Sequence, residues 1–157
     1  MGRFDRAEIE DALQHYDAVV ANCSATRDWA PFADLFTEDV DYFEHAYGDL
    51  KGREAVREWI VATMAPFPQM RIVQDWVAYD EANDAAVFGV NNILELDGVE
   101  YGFPNYSRVI YAGGGLFSSQ EDTYNPARDA PRVVGEWVKA GGKLLTKPLA
   151  MKYVFTR

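Results

Sequence analysis

The sequence is poor in the residues that hold metals and disulfides. It contains one cysteine, Cys23, and two histidines, His15 and His45, in 157 residues. A single cysteine cannot form an internal disulfide or a thiolate metal site, and two histidines cannot form a three-histidine zinc site. The composition therefore predicts no metal centre of these kinds and no disulfide framework.

Positive charge is also scarce, with 15 Lys and Arg against 25 Asp and Glu and a net charge of −10. Proteins that bind nucleic acids or anionic membranes neutralise phosphates with Lys and Arg, so both partners are disfavoured. No apolar run is long enough to span a bilayer, and the segment MGRFDRAEIED is too charged for a signal peptide. These absences predict no nucleic-acid partner, no membrane association and a cytoplasmic location, and they favour a small neutral or apolar ligand.

Apolar residues are plentiful, at 48% of the chain, and aromatic residues alone make up 14%. This content is enough for a sizeable core and for an aromatic pocket. The length fits one domain, and no linker, internal repeat or low-complexity segment interrupts it. We therefore expect residues 1–157 to form a single domain.

Four segments have apolar residues at the three- and four-residue steps of a helix with one buried face. Asp5 followed by Glu8 has the pattern of an N-terminal capping pair for the first of them. Pro66 and Pro68 end the third, and Asp129 is a candidate cap for the fourth. The predicted helices are residues 5–25, 29–36, 53–65 and 131–140.

Five segments rich in β-branched and aromatic residues are predicted strands, at residues 40–46, 71–79, 85–96, 101–111 and 117–124. The stretch GDLKG at residues 48–52 is typical of a turn, and Asp97-Gly98 is a two-residue hairpin signal. Gly113–Gly115 lies between two strands and is a hairpin loop rather than a phosphate-binding loop. The alternating tail, residues 143–157, is predicted to dock on a neighbouring subunit.

This order of elements, with two segments of sequence, resembles the nuclear transport factor 2-like superfamily, and more closely its SnoaL-like and ketosteroid-isomerase-like branch. The first segment, DWAPFADLFTEDVDYFEHAYGDLKGREAVREWI (residues 28–60), contains a helix ending in Leu-Phe-x-x-Asp, a strand and a helix opened by Gly-x-x-x-Gly-Arg-Glu-Ala. The second, QEDTYNP (residues 120–126), matches a closing strand that ends in an aromatic residue and Asn-Pro. The resemblance covers about residues 5–126 and leaves 127–157 as a C-terminal helix and tail extension.

The resemblance implies an α+β, cone-shaped roll with three N-terminal helices packed on a curved, mostly antiparallel sheet, plus an extra C-terminal helix. Members of this branch work without a cofactor, and relatives dimerise through the outer face of the sheet. Here Tyr106, Arg108 and Ile110 alternate on that face. We therefore expect no cofactor and a homodimer. One cone hosts isomerases, cyclases, dehydratases and plain binding proteins, so the fold alone does not specify a reaction.

Two catalytic residues follow from the similarity to ketosteroid isomerases. Glu44 matches the acid that serves as general base at the end of the first strand, where burial in an apolar cavity raises the pKa of a carboxyl group. Tyr16 matches the tyrosine that donates to the developing oxyanion. The alternatives are a solvated strand-end residue for Glu44 and an ordinary core tyrosine for Tyr16. Ser107 stands where those isomerases have a second, protonated aspartate, which argues against true ketosteroid isomerase activity.

Asp122 is the third candidate catalytic residue. It matches the final-strand aspartate of limonene-type epoxide hydrolases, but Asn105 and Ser107 occupy the positions of their Arg and second Asp. The strands from Arg71 to Leu96 also lack the two histidines of dehydratase-like members. We expect Asp122 to face inward, within hydrogen-bond reach of Asn105 or Ser107.

A set of polar and aromatic residues is predicted to bind the substrate. Strand alternation places several on the face of Asp122, where clustered polar groups must bond to each other, to water or to a ligand. A register slip of one residue would turn them all outward. His45 and Trp76 have structural roles as alternatives, at a strand end and in the core. The predicted substrate-binding residues are His45, Trp76, Asn92, Asn105, Ser107 and Tyr124.

Two functions remain open from the sequence. The first is a small cofactor-independent enzyme that performs acid–base chemistry, of isomerase, cyclase or dehydratase type, on an apolar carbonyl-containing molecule. The second is a non-catalytic module that binds a small ligand or dimerises. Proton exchange at an activated C–H of a bound ketone separates the two, because a carrier does not catalyse it.

Overall fold

The computed structural model describes residues 2–152, which form helices packed on a mixed, open six-stranded sheet. The helices are α1 (Arg6–Thr26), a 3-10 helix (Ala30–Leu35), α2 (Arg53–Met64), a short 3-10 turn (Glu81–Asn83) and α3 (Asp129–Ala140). The strands are β1 (Phe36–Glu44), β2 (Gly48–Lys51), β3 (Arg71–Asp80), β4 (Ala85–Leu96), β5 (Val99–Gly113) and β6 (Leu116–Thr123). The predicted α+β class is confirmed.

The strand order is β2-β1-β6-β5-β4-β3, and only β1 and β6 pair in parallel. Strands β3 to β6 pair in succession as antiparallel hairpins. The turns between β4 and β5 and between β5 and β6 contain Gly98 and Gly114, whose φ angles are positive, as is common in glycine-containing hairpin loops. The parallel pair brings the first strand of the chain against the last. It places Glu44 opposite Asp122 in the register.

The core lies between the inner face of the sheet and the helices. Helix α1 contributes one apolar face that includes Ile9, Leu13 and Val20, and the sheet contributes residues such as Phe88 and Phe117. These side chains are almost completely buried. Burial of this apolar surface is the main stabilising contribution to such a fold.

Several local predictions differ from the structure. Asp129, the candidate cap of the fourth helix, is instead the first residue of α3 and makes no capping bond. Residues 48–51 form β2, which pairs with β1 from Gly48 opposite Glu44 to Lys51 opposite Asp41. The predicted turn is therefore an edge strand. Asp5 does occupy the N-cap position of α1, but its side chain makes no capping bond, and Glu8 instead accepts a hydrogen bond from the Tyr111 hydroxyl at 2.8 Å.

The C-terminal tail packs on its own chain. The Leu145 amide donates to the Pro66 carbonyl at 2.7 Å, and the Lys152 amide donates to the Ala46 carbonyl at 2.6 Å. Residues 143–152 therefore make contacts within their own chain, and the docking of the tail on a neighbouring subunit stays a prediction. Residues 153–157 of that prediction lie outside the described residues.

Candidate functional site

A cavity of about 510 Å³ lies between the inner face of the sheet and helices α1 and α2. Its wall is mainly apolar, and aromatic rings supply much of it, among them Tyr16, Phe32, Tyr42, Trp59, Phe88 and Phe103. A cavity of this size, apolar with a few convergent polar groups, is typical of small-molecule sites. The polar groups lie mostly on β1, β5 and β6.

Asp122 lies at the centre of a network of polar side chains on the cavity wall. It lies opposite Ser107 in the β5–β6 register, and Ser107 Oγ donates to Asp122 Oδ1 at 2.6 Å. Gln120 Nε2 donates to the same oxygen at 2.9 Å, and the Tyr42 hydroxyl donates to Oδ2. Three donors therefore hold a carboxylate that is only 7% exposed. The expectation that Asp122 faces inward and contacts Ser107 agrees with this geometry.

Tyr16 joins the same network through Gln120. Its hydroxyl donates to Gln120 Oε1 at 3.1 Å, and Gln120 Nε2 donates to Tyr42 Oη at 2.9 Å. Burial raises the pKa of both Tyr16 and Tyr42 well above the usual value of 10, so both hydroxyls keep their protons. Tyr16 thus lines the cavity, but its hydroxyl already donates its hydrogen bond to Gln120.

Glu44 is the second buried carboxyl group of the cavity, at 3% exposure. Its Oε2 accepts hydrogen bonds from the backbone amides of Ala46 at 2.6 Å and Tyr47 at 2.9 Å. Burial raises the pKa of Glu44 to about 7; the nearby Asp122 charge also raises it, while the Tyr124 hydroxyl and these amides lower it. The alternative of a solvated strand-end residue does not fit this burial.

The remaining polar lining comes from β4, β5 and α2. Asn105 Nδ2 donates to Ser107 Oγ at 3.1 Å, and Asn92 Nδ2 donates to the Phe103 carbonyl at 3.4 Å. Within residues 2–152, three buried atoms of lining side chains have no hydrogen-bond partner: Trp59 Nε1, Thr63 Oγ1 and Asn105 Oδ1. Buried polar atoms without partners are uncommon, and in a cavity wall they are candidate ligand contacts.

His45 and Trp76, both predicted to bind the substrate, lie on the outer face of the sheet. His45 follows the alternation of β1, which turns it away from the side of Glu44, and its Nε2 lies 3.1 Å from Glu121 Oε1. Trp76 is 46% exposed and its ring lies 5.8 Å from that of Tyr106. An extra residue in β3 between Gln74 and Trp76 reverses the alternation, and this bulge turns Trp76 outward.

Helix α3 and the tail form one wall of the cavity. Ala130 and Val134 on α3 line it, and Leu149 and Met151 from the tail complete this side. Tyr124, which follows β6, packs on Phe103 at 5.9 Å between ring centroids and also lines this region. The extension beyond the resemblance therefore contributes directly to the shape of the cavity.

Two residues of the network, Tyr42 and Gln120, were not among the candidates from the sequence. A signal for both was present, because strand alternation places Tyr42 on the face of Glu44 and Gln120 on the face of Asp122. Neither side chain is charged, so neither pattern marks acid–base chemistry as a carboxylate does. The geometry shows that they connect Tyr16 to Asp122.

Within the described part of the chain, the ionisable groups of the cavity wall are all carboxylic acids or phenols. No Lys, Arg or His side chain of residues 2–152 lines it. The same residues contain no group of three or more His, Cys, Asp and Glu arranged to hold a metal ion. No helix in this range combines the length and apolarity needed to cross a bilayer.

The sequence model of the SnoaL-like domain family matches residues 8–115 of the chain. The match spans more than half of the sequence and includes α1 through β5. A search of curated proteins found no significant relative.

Solved structures with the same architecture share little sequence with this chain. An NTF2-like protein from Anabaena variabilis has a TM-score of 0.64 at 17% identity, over 82% of this chain and 98% of that one. A protein with a ketosteroid isomerase-like fold from Catenulispora acidiphila, in complex with trimethylamine, has a TM-score of 0.61 at 18% identity, over 76% and 92%. Mycobacterium tuberculosis RV0760c, in complex with estradiol-17beta-hemisuccinate, has a TM-score of 0.58 at 14% identity, over 73% and 95%. These similarities fit the cone-shaped fold.

Proposed function

The chain belongs to the SnoaL-like domain family of the nuclear transport factor 2-like fold, and from this we propose that it is a small cofactor-independent acid–base enzyme. Its substrate is an apolar carbonyl-containing molecule held in the cavity, and its reaction is an isomerisation, cyclisation or dehydration. The observation that carries the proposal is the buried Glu44 beside Asp122, with a pKa of about 7. A group with this pKa both accepts and donates a proton near neutral pH.

The two carboxyl groups have different roles in this proposal. Asp122 accepts hydrogen bonds from the hydroxyls of Tyr42 and Ser107 and from Gln120 Nε2, and these bonds fix the position of its carboxylate. Burial is the largest cause of the raised pKa of Glu44, and the negative charge of Asp122 raises it further, so Glu44 titrates near neutral pH. A carboxyl group whose surroundings raise its pKa in this way is a recognised arrangement for acid–base catalysis.

We propose that a cavity-wall hydrogen-bond donor without a partner polarises the carbonyl group of the substrate. Tyr16 already donates to Gln120, so we assign it a positioning role rather than that of first donor to the substrate. The N–H of Trp59 is the better placed donor because it has no partner, and the unpaired Asn105 Oδ1 is available to accept a hydrogen bond from the substrate. Asn92, Ser107 and Tyr124 complete the substrate contacts.

Hydrogen–deuterium exchange tests the proposal. Cyclic ketones of increasing size, beginning with 2-tetralone, are incubated with the protein in D₂O, and exchange next to the carbonyl is followed by NMR. We expect the protein to accelerate exchange, with a pH dependence governed by a pKa of about 7, and Glu44→Gln to remove the effect. Glu121→Gln is the matched control, because Glu121 lies on the outer face of the same sheet. Binding of the ketones without exchange would instead support a non-catalytic binding module.

The protein is also proposed to form a homodimer through the outer face of the sheet. Trp76 and Tyr106 pack against each other there and are 46% and 50% exposed, which is unusual for rings of this size on a free surface. Light scattering at micromolar concentration measures the mass of the wild type and of Tyr106→Glu. A dimer that the variant converts to a monomer agrees with the proposal, and a monomeric wild type contradicts it.

A further inference from the structure

The charged groups in the cavity wall restrict the chemical class of the substrate further than the apolar surface of the cavity does. Glu44 and Asp122 are both buried there, and the other titratable lining groups among residues 2–152 are the phenols of Tyr16, Tyr42, Tyr47 and Tyr124. Those phenols come from α1, β1, the turn after β1 and the segment after β6. Helices α2 and α3, strands β3 to β5 and the described tail contribute no titratable side chain to the wall.

The three hydrogen bonds to Asp122 satisfy its oxygens but do not neutralise it, because the Tyr42, Ser107 and Gln120 donors are neutral. In an apolar surrounding, screening by water is weak and a fixed charge acts over a longer range. The interior of the cavity is therefore electronegative. An anionic ligand loses its hydration there and finds no positively charged side chain among residues 2–152, whereas a cationic ligand lies near the carboxylate of Asp122 and, when it is ionised, that of Glu44.

The aromatic rings act in the same direction. The faces of Tyr, Trp and Phe rings attract a cation through their quadrupole, and the attraction is stronger where water is excluded. Tyr42 and Trp59 pack together at 5.2 Å between centroids, beside the carboxylate network. Phe32, Phe88 and Phe103 add further rings to the wall.

We infer that the cavity takes an apolar molecule that carries a protonated basic nitrogen, and that this ammonium group lies near Asp122 and Glu44. This inference rests on the proposed function for the identity of the cavity as the site and for the carbonyl group of the substrate, but not for the ammonium group. It assigns the substrate class as an amino-carbonyl compound rather than a plain ketone or a carboxylic acid. The described residues 2–152 place no positive charge in the cavity, so the charge arrives with the substrate, where it also stabilises electron density that develops when a C–H proton is removed.

A matched set of three probes tests the charge preference without any reaction. The probes are 1-(aminomethyl)adamantane, 1-(hydroxymethyl)adamantane and adamantane-1-carboxylate, which share one rigid apolar body and differ in charge. Calorimetry at about pH 8, above the Glu44 pKa of about 7, should show the amine binding about tenfold more tightly than the alcohol and the acid binding weakest. Equal affinities, or tighter binding of the acid, would overturn the inference.

Proton linkage provides a second readout on the unmodified protein. An ammonium ion favours ionised Glu44, so the amine should release protons on binding at about pH 7, and its affinity should fall at lower pH. The alcohol removes water from around Glu44 but brings no positive charge, so its binding should release no protons. Calorimetry in two buffers of different ionisation enthalpy measures this difference, and proton release that is equal for the two probes contradicts the inference.

Variants then identify the groups responsible. Glu44→Gln should abolish proton release by the amine, and Glu121→Gln on the outer face should leave it unchanged. The result separates the two proposals. If the amine preference is present but no ketone exchange is seen, the ligand class holds and the enzymatic proposal fails; if exchange occurs without any amine preference, the reverse is true.

Discussion

Glu44 and Asp122 are register partners on the parallel strands β1 and β6, and both carboxyl groups face the same cavity. Their surroundings are nevertheless different. Asp122 accepts from three side chains, whereas Glu44 accepts from two backbone amides and from Tyr124. The site therefore combines a carboxylate held by three side-chain donors with a carboxyl group whose pKa is raised to about 7.

The stability of the protein should decrease as Glu44 ionises. The pKa of Glu44 is raised from 4.5 to about 7, so between these values the folded state binds more protons than the unfolded state. Stability from this group is therefore present below about pH 4.5 and is lost as the pH rises through about 7. The full shift corresponds to at most about 3 kcal/mol. Urea unfolding across this pH range measures the free energy of unfolding of the wild type and of Glu44→Gln. The difference between the two free energies should become smaller at low pH, and a difference that does not change with pH would contradict the assignment.

Asp122→Asn should destabilise the protein by about 1–3 kcal/mol in addition to removing any activity. Sequence considerations alone favour a small cost, because an amide keeps the shape of the carboxylate. The structure shows donors on both oxygens, and an amide nitrogen must face at least one of them. Chemical denaturation measures the loss, with Glu121→Gln as the exposed control on the same strand. An unchanged midpoint for Asp122→Asn would show that the network rearranges freely.

Tyr124→Phe should raise the pKa of Glu44 above its value of about 7, because the Tyr124 hydroxyl is the largest of the contacts that lower it. NMR of protein labelled with ¹³C at the glutamate carboxyl carbon follows this titration directly. Tyr106→Phe removes an equivalent hydroxyl from the exposed outer face and should leave the titration where it was. A lower pKa in Tyr124→Phe is incompatible with the hydrogen bond described here.

Leu149→Ser should weaken the binding of 1-(hydroxymethyl)adamantane by about tenfold, because the side chain forms part of the cavity wall. Leu145→Ser is the matched control. Leu145 is on the same tail and is 60% exposed, but it lines a separate open groove beside Trp137. If the two variants bind the probe equally well, the tail does not contribute to the site.

Much of the fold follows from the sequence because its signals are local and repeated. The apolar face of α1 and the alternation of β5 and β6 predict the inward position of Asn105, Ser107 and Asp122. Trp76 could not be placed in the same way. A single extra residue in β3 reverses the alternation, and nothing in the local pattern marks that bulge.

The hydrogen bonds of the polar network and the packing of the tail could not be predicted from the sequence, for a different reason. The link from Tyr16 through Gln120 to Tyr42 joins three separate elements, and its bonds depend on how these pack. The tail carries alternating apolar residues that fit either a partner or the chain itself. Only the packed structure shows Lys152 bonded to Ala46.

The parallel pairing of β1 with β6 has a consequence for the order of folding. Tyr42 and Asp122, which share a hydrogen bond, are 80 residues apart along the chain, whereas β3 to β6 are joined by short turns. Closing so long a loop costs more entropy than forming adjacent hairpins. When the hairpins have formed but β1 has not yet paired with β6, Glu44 is solvated and its pKa is that of an ordinary glutamate. The proton affinity of this one side chain is therefore an internal reporter of whether folding is complete.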